Sequence, residues 1–145
     1  MELAEIYSEI ARNDIYMCNF KMKKTKARII QNNTTCIFVD YSQINSYIEE
    51  KEILAEELGH YKYNAYYTLL SDQTFIEQQE YKAMKWKALH LCPLKSIVEC
   101  LMRGITNYVD IAENLQIEPI TAQFAINYYI ENDLLSFTND GGDDE

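Results

Sequence analysis

The stretch ILAEELGHY, residues 53–61, constrains this chain more than any other. Its letters Glu56, Glu57, Leu58, Gly59 and His60 stand one residue away from H-E-x-x-H, the helical zinc-peptidase pattern in which two histidines lie four apart with a glutamate after the first. Residues four apart project from one helix face, so Glu56 and His60 can converge on one point. Carboxylate oxygen and imidazole nitrogen both bind zinc at about 2.0 to 2.2 Å, and a catalytic site keeps one position open for water. Glu57, one step round the helix, would sit beside a metal-bound water and activate it, taking its proton and later returning it to the leaving amine. Gly59 constrains the surroundings as well. Glycine inside a helix costs roughly 1 kcal/mol against alanine, a cost explained if another backbone or a substrate must come close there. Two plainer readings fit the same letters: a solvated acidic helix carrying one histidine, or the remnant of a former metal site. Context has to separate them.

Length and charge narrow that context. With 145 residues and 48% hydrophobic content, the chain is one domain, or a domain with a small helical appendix, and has enough apolar material for a core. Acidic residues outnumber basic ones 23 to 13, a net charge of -10, which argues against a protein that works by wrapping nucleic-acid phosphate. The basic run KMKKTKAR, Lys21 to Arg28, reads as a solvated turn or the approach to a hairpin. Cys18, Cys36, Cys92 and Cys100 have neither C-x-x-C pairing nor zinc-finger spacing, and read as buried thiols of a reducing compartment. The segment MELAEIYSEIARND lacks the basic region and apolar core of a signal peptide. No apolar run reaches the length of a membrane span. A cytoplasmic protein is expected.

The periodicities predict an α+β, mostly helical fold. Leu3, Ile6, Tyr7 and Ile10 repeat with a helical period ended by Arg12, Asn13 and Asp14. ARIIQ (27–31) and TCIFV with Asp40 (35–40) are β-rich segments around an asparagine turn, so a hairpin or two strands of a small sheet is expected. From Ser42 the pattern is helical: a short helix, a break near Glu49 to Lys51, then the motif helix. A further helix opens at Asp72 as N-cap, with Phe75, Ile76, Gln79, Ala83, Trp86 and Leu89 near one face. Another helix follows Pro93, with Gly104 beyond its end. Two short helices flanking QIEP then form an α-turn-α unit. The second of these bears no lysine or arginine, so a DNA-recognition role is not expected of it. The polar, acidic end, 137–145, is expected to be disordered.

A second motif gives the first its meaning. About twenty residues after ILAEELGHY comes QEYKAMKWKALHLCP, and the pair resembles the ImmA/IrrE family of metallo-endopeptidases: an L-A-(H or E)-E-L-G-H helix, a variable connection, then E-x-x-A-x-x-(F or W)-A-x-x-L-x-P. Glu80, Ala83, Trp86, Leu91 and Pro93 supply the second pattern. The likeness extends through LKSIVECLMRG to VDIAENLQIEPITAQFAINYY and covers roughly residues 1 to 135. It implies a zincin-like metallopeptidase domain over residues 1–93, with a small N-terminal sheet packed on the motif helix, and a C-terminal helical lobe over 94–136.

Carried across position by position, the resemblance implies His60 and Glu80 as zinc ligands, Glu57 as general base, and Glu56 where most members have the first histidine ligand. The glutamate form is that of phage and mobile-element members. Two bound carboxylates would cancel a divalent ion's charge and weaken it as a Lewis acid, so a harder ion such as manganese is an alternative to zinc. The implied function is a zinc-dependent endopeptidase of a prophage or mobile element that acts on a helix-turn-helix transcriptional repressor. The alternatives are a non-catalytic antirepressor of the same fold with weak or no metal binding, and an unrelated acidic helical adaptor. Trp86 and the tyrosines of YKYNAYY read as core and rim packing, with Tyr63 or Tyr66 a candidate donor to an oxyanion. His90, the other histidine, reads as structural or surface.

Overall fold

The computed structural model describes residues 1–136; the acidic end expected to be disordered, 137–145, lies outside them. Helix α1, Leu3–Arg12, begins where the Glu5 carboxylate accepts the Glu2 N–H at 2.6 Å and turns Ile6 and Ile10 inward. Asp14, with φ at 55°, ends it and redirects the chain into a strand that the sequence pattern does not predict. This is β1, Tyr16–Asn19, followed by β2, Ala27–Gln31, and β3, Thr35–Val39. β3 is central, antiparallel to β2 and parallel to β1, so β2 is an edge strand.

The basic run is a loop pinned from within. Asp40 is buried after β3 and accepts from Gln43 Nε2 at 2.7 Å, the Met22 N–H at 3.0 Å and Ser42 Oγ at 2.5 Å. The hydrogen bonds from Gln43 and Ser42, then that from Met22, hold its carboxyl well below the usual carboxylate range. Gln43 also donates to the Met22 carbonyl at 2.8 Å, which fixes the loop over the entrance to β2.

Two long helices form the middle of the molecule. Helix α2, Tyr47–Lys62, starts at Ser46, whose hydroxyl accepts the Glu49 N–H at 3.1 Å. The break expected near Glu49 to Lys51 is not there: α2 is continuous, and only a 3-10 turn, Tyr41–Gln43, precedes it. The charged run is helical because its charges are satisfied by tertiary partners. Lys51, 1% exposed, donates to the Leu115 carbonyl at 3.0 Å, and Glu52 is buried against the sixth helix. Helix α3, Gln73–Leu91, begins at Asp72, which accepts the Phe75 N–H at 2.8 Å. Of the face expected to be apolar, Gln79, Ala83 and Trp86 are buried, whereas Phe75 is exposed.

The remaining helices are α4, Leu94–Met102, α5, Tyr108–Leu115, and α6, Pro119–Glu131. Pro93 is the residue before α4 and Pro119 the first residue of α6; Gly104, φ 79°, and Gln116, φ 54°, turn the chain after α4 and α5. A hydrophobic core runs through all of this, from Ile6 and Ile37 through Leu54 and Leu58 to Ile97 and Ala122. The fold is thus α+β and mostly helical. None of the described helices is long and apolar enough to cross a membrane. Cys92 and Cys100 are buried as expected, but Cys18 and Cys36 are only half-buried, with their sulfurs 2.9 Å apart across β1 and β3.

One contact positions the functional cleft. A Cβ on Gly59 would lie 2.7 Å from the Ala83 carbonyl oxygen, so α2 and α3 approach at a distance only glycine allows. The backbone that comes close to Gly59 is α3, and Glu80 lies one turn before Ala83 on it.

Candidate metal centre

Glu56, His60 and Glu80 meet, their donor atoms within 4.8 Å of one another. Two come from one face of α2 and the third from α3, brought alongside by the Gly59 contact. Ligands on a tetrahedral zinc stand roughly 3.4 Å apart given bonds near 2.1 Å. His60 Nε2 and Glu80 Oε1 are 3.7 Å apart, so a small inward movement would close the set.

His60 is prepared for that role. The chain folds back after α2, placing the Ala65 carbonyl 2.7 Å from His60 Nδ1. A carbonyl oxygen only accepts, so Nδ1 carries the hydrogen, and in the neutral ring Nε2 has its lone pair facing the two carboxylates. The donor set, one imidazole and two carboxylates with the ring nitrogen fixed by its neighbour, fits a divalent ion of zinc or manganese type.

The two carboxylates have partners of their own. Tyr67 donates its hydroxyl to Glu80 Oε1, and Lys87 donates to Glu56 Oε2 at 2.7 Å. Each contact leaves lone pairs free on its carboxylate. Burial, then the hydrogen bond to Glu80, pushes the Tyr67 hydroxyl up to about 12. Burial alone would depress Lys87, but Glu56 and Glu52 beside it outweigh that and hold it above the ordinary lysine value.

Glu57 lies next to this cluster and is buried. Its Oε2 accepts the backbone N–H of Ile29 at 2.7 Å, on the side of β2 that β3 leaves unpaired. Loss of solvent is the main cause that pushes its carboxyl up to about 7, with Glu56 and Glu80 adding to it and His60 and the Ile29 hydrogen bond opposing. A carboxyl balanced near neutrality, beside a ligand cluster, suits proton transfer in both directions.

The cleft itself is small and polar, about 130 Å³, lined on one side by Thr25, Ala27 and Ile29 and on the other by Glu56, His60 and Glu80. It opens into an apolar groove of about 760 Å³ walled by Ile30, Leu70 and Phe75. Arg28, Ile29, Tyr66 and Tyr67 belong to both. Leu69 and Leu70 are 93% and 97% exposed on the groove's rim.

The candidates read from sequence divide accordingly. Glu56, Glu57, His60 and Glu80 come together in one cleft. Of the two tyrosines considered as donors, Tyr63 is exposed outside the cleft, whereas Tyr66 lines it with a buried hydroxyl that has no hydrogen-bond partner among the described residues. The tyrosine that touches a candidate ligand is Tyr67, through Glu80. His90 stands apart, exposed, stacked on Trp86 at 3.9 Å. Lys87 and Arg28 also border the site without a sequence signal, since each is reached only through tertiary packing. Comparison with protein-family models, curated proteins and solved structures yields no match to this chain.

Proposed function

We propose that the chain is a metal-dependent endopeptidase of the ImmA/IrrE type, acting on a helix-turn-helix transcriptional repressor of a prophage or mobile element. The observation that carries the reading is the convergence of Glu56, His60 and Glu80 beside a buried glutamate, in a cleft bordered by the open edge of a strand. The motif resemblance supplies the class of substrate and the genetic setting.

Glu56, His60 and Glu80 would hold a divalent ion, which would supply Lewis acidity toward a peptide carbonyl and water. Everything else is done by the protein. Glu57 accepts the proton of the attacking water and passes it to the leaving amine, a task matched to a carboxyl near neutrality. His60 is kept in one tautomer by Ala65. Apart from the Ile29 N–H that Glu57 takes, the edge of β2 offers backbone groups for an extended peptide, and the groove walled by Ile30, Leu70 and Phe75 receives an apolar side chain. Tyr67, which lines both cleft and groove, holds Glu80 through its hydroxyl.

Metal analysis of the purified protein is the first test. Bound zinc or manganese near one equivalent per chain, lost in His60→Ala and Glu80→Gln, is the expected result; equal metal content in all three ends the metallopeptidase reading. Incubation with the repressor encoded nearby is the second. Cleavage abolished in Glu57→Gln supports the enzyme, and tight binding without cleavage assigns the fold to an antirepressor.

A further inference from the structure

Two carboxylates and a neutral imidazole would cancel the charge of a divalent ion, which would lower its pull on electrons. A carboxylate can also chelate through both oxygens and so close the position that a substrate needs. Both difficulties arise from Glu56, and the structure places one side chain against each of them.

That side chain is Lys87, on α3, 6% exposed and pointing between α2 and α6. Its ammonium lies 2.7 Å from Glu56 Oε2 and 3.4 Å from Glu52 Oε2. Glu52 is already satisfied by α6: its Oε1 accepts the Glu118 N–H at 2.9 Å and its Oε2 accepts the Thr121 hydroxyl at 2.7 Å. A lysine needed only to neutralise buried Glu52 would make its closer contact there. Lys87 instead reaches past Glu52 to the carboxylate that opens on the cleft.

We propose that Lys87 is a positioning residue for the metal centre, holding Glu56 to one free oxygen and supplying the positive charge that a carboxylate in place of an imidazole removes. The inference rests on the metal reading of the cleft. With Oε2 engaged by the ammonium, Oε1 is the oxygen left to an ion, so Glu56 binds through one atom and a coordination position stays open. Lys87 also sets a positive charge 2.7 Å from Glu56, offset in part by Glu52 at 3.4 Å, against the charge lost when a carboxylate stands in place of an imidazole. Removing Lys87 therefore has two effects on the ion: Glu56 becomes free to chelate through both oxygens, and a nearby repelling charge disappears.

The test uses the full chain, titrated with Co²⁺ for its visible spectrum and Zn²⁺ for affinity. In Lys87→Met the cobalt bands are expected to weaken, as they do when coordination number rises, and Zn²⁺ to bind about tenfold or more tighter. Should that variant not fold, Glu52→Gln with Lys87→Met removes the buried pair together and carries the same spectral expectation, since Glu56 Oε2 is freed in both. In a Glu56→His background the spectral effect of Lys87→Met is expected to vanish, because no carboxylate remains to be held. Unchanged spectrum and affinity in the native background, or an equal spectral change in both backgrounds, overturns the proposal. Failure of the metal reading looks different: the native chain then binds neither ion, or binds both as His60→Ala and Glu80→Gln do.

Discussion

Glu57 ties the site's chemistry to the chain's stability. Its carboxyl is neutral in the fold up to about pH 7, whereas an unfolded glutamate ionises near 4.5. The folded state therefore holds a proton that the unfolded state has released, and stability contributed by this residue is full at low pH and lost as pH rises between those values. The loss is on the order of 3 kcal/mol by pH 8. In metal-free protein, Glu57→Gln should thus raise the melting temperature at pH 8 and change it little at pH 4.5, a comparison made by circular dichroism at both. At this scale the sequence was informative where chemistry follows spacing. Glu56 and His60 are one helical turn apart, and Glu80 belongs to a second ordered motif. Tyr67, Lys87 and the Ala65 carbonyl were not legible, because each reaches the cluster through a turn or a neighbouring helix whose rotation no spacing encodes.

Between elements, the decisive contact is that of α2 with α3. Gly59→Ala would gain up to about 1 kcal/mol in helix propensity, but its methyl would meet the Ala83 carbonyl at 2.7 Å. Backbone cannot swing aside as a side chain can, so a net destabilisation of about 1 to 3 kcal/mol is expected in urea denaturation, together with weaker Zn²⁺ binding as Glu80 is pushed from His60. Gly59 announced this contact in the sequence, since an interior helix glycine needs a reason. The start of α2 gave no such signal. Glu49, Glu50 and Lys51 read as a polar break, yet Lys51 closes the last carbonyl of α5 and Glu52 receives the first turn of α6, so tertiary partners override a pattern that looks solvent-facing. β1 was hidden for a related reason: four residues between a helix and a basic loop carry little pattern, and a parallel pairing with β3 depends on chain far downstream.

Across the whole molecule, α2 is the shared partner of both ends. Its outer turn holds α5 and α6 through Lys51 and Glu52, its middle packs on α3, and Glu57 holds the edge of the sheet. Such a chain is expected to unfold in one transition, with fluorescence of Trp86, the sole tryptophan, and far-ultraviolet dichroism giving the same midpoint. Glu52→Ala should lower that midpoint strongly, by about 3 kcal/mol in stability, because it strips a buried lysine of one partner and leaves the α6 N–H and Thr121 hydroxyl unmet. The α+β class and mostly helical content were legible from periodicity alone, since they depend on local pattern summed over many residues. How the C-terminal helices return to the motif helix was not, because the polar contacts that fix their register, Lys51 to the Leu115 carbonyl and Glu52 to the Glu118 N–H, carry no hydrophobic period.

The bare backbone contact between Gly59 and Ala83 also says something about inheritance. A spacing set by side chains drifts as those side chains are exchanged, but a spacing set by a missing one has no rotamer to alter and no volume to trade. Neighbouring core positions can therefore vary in size and cost stability first, while the gap between His60 and Glu80 stays nearly constant. Sequence changes that keep this glycine should leave in place the backbone spacing from which His60 and Glu80 project.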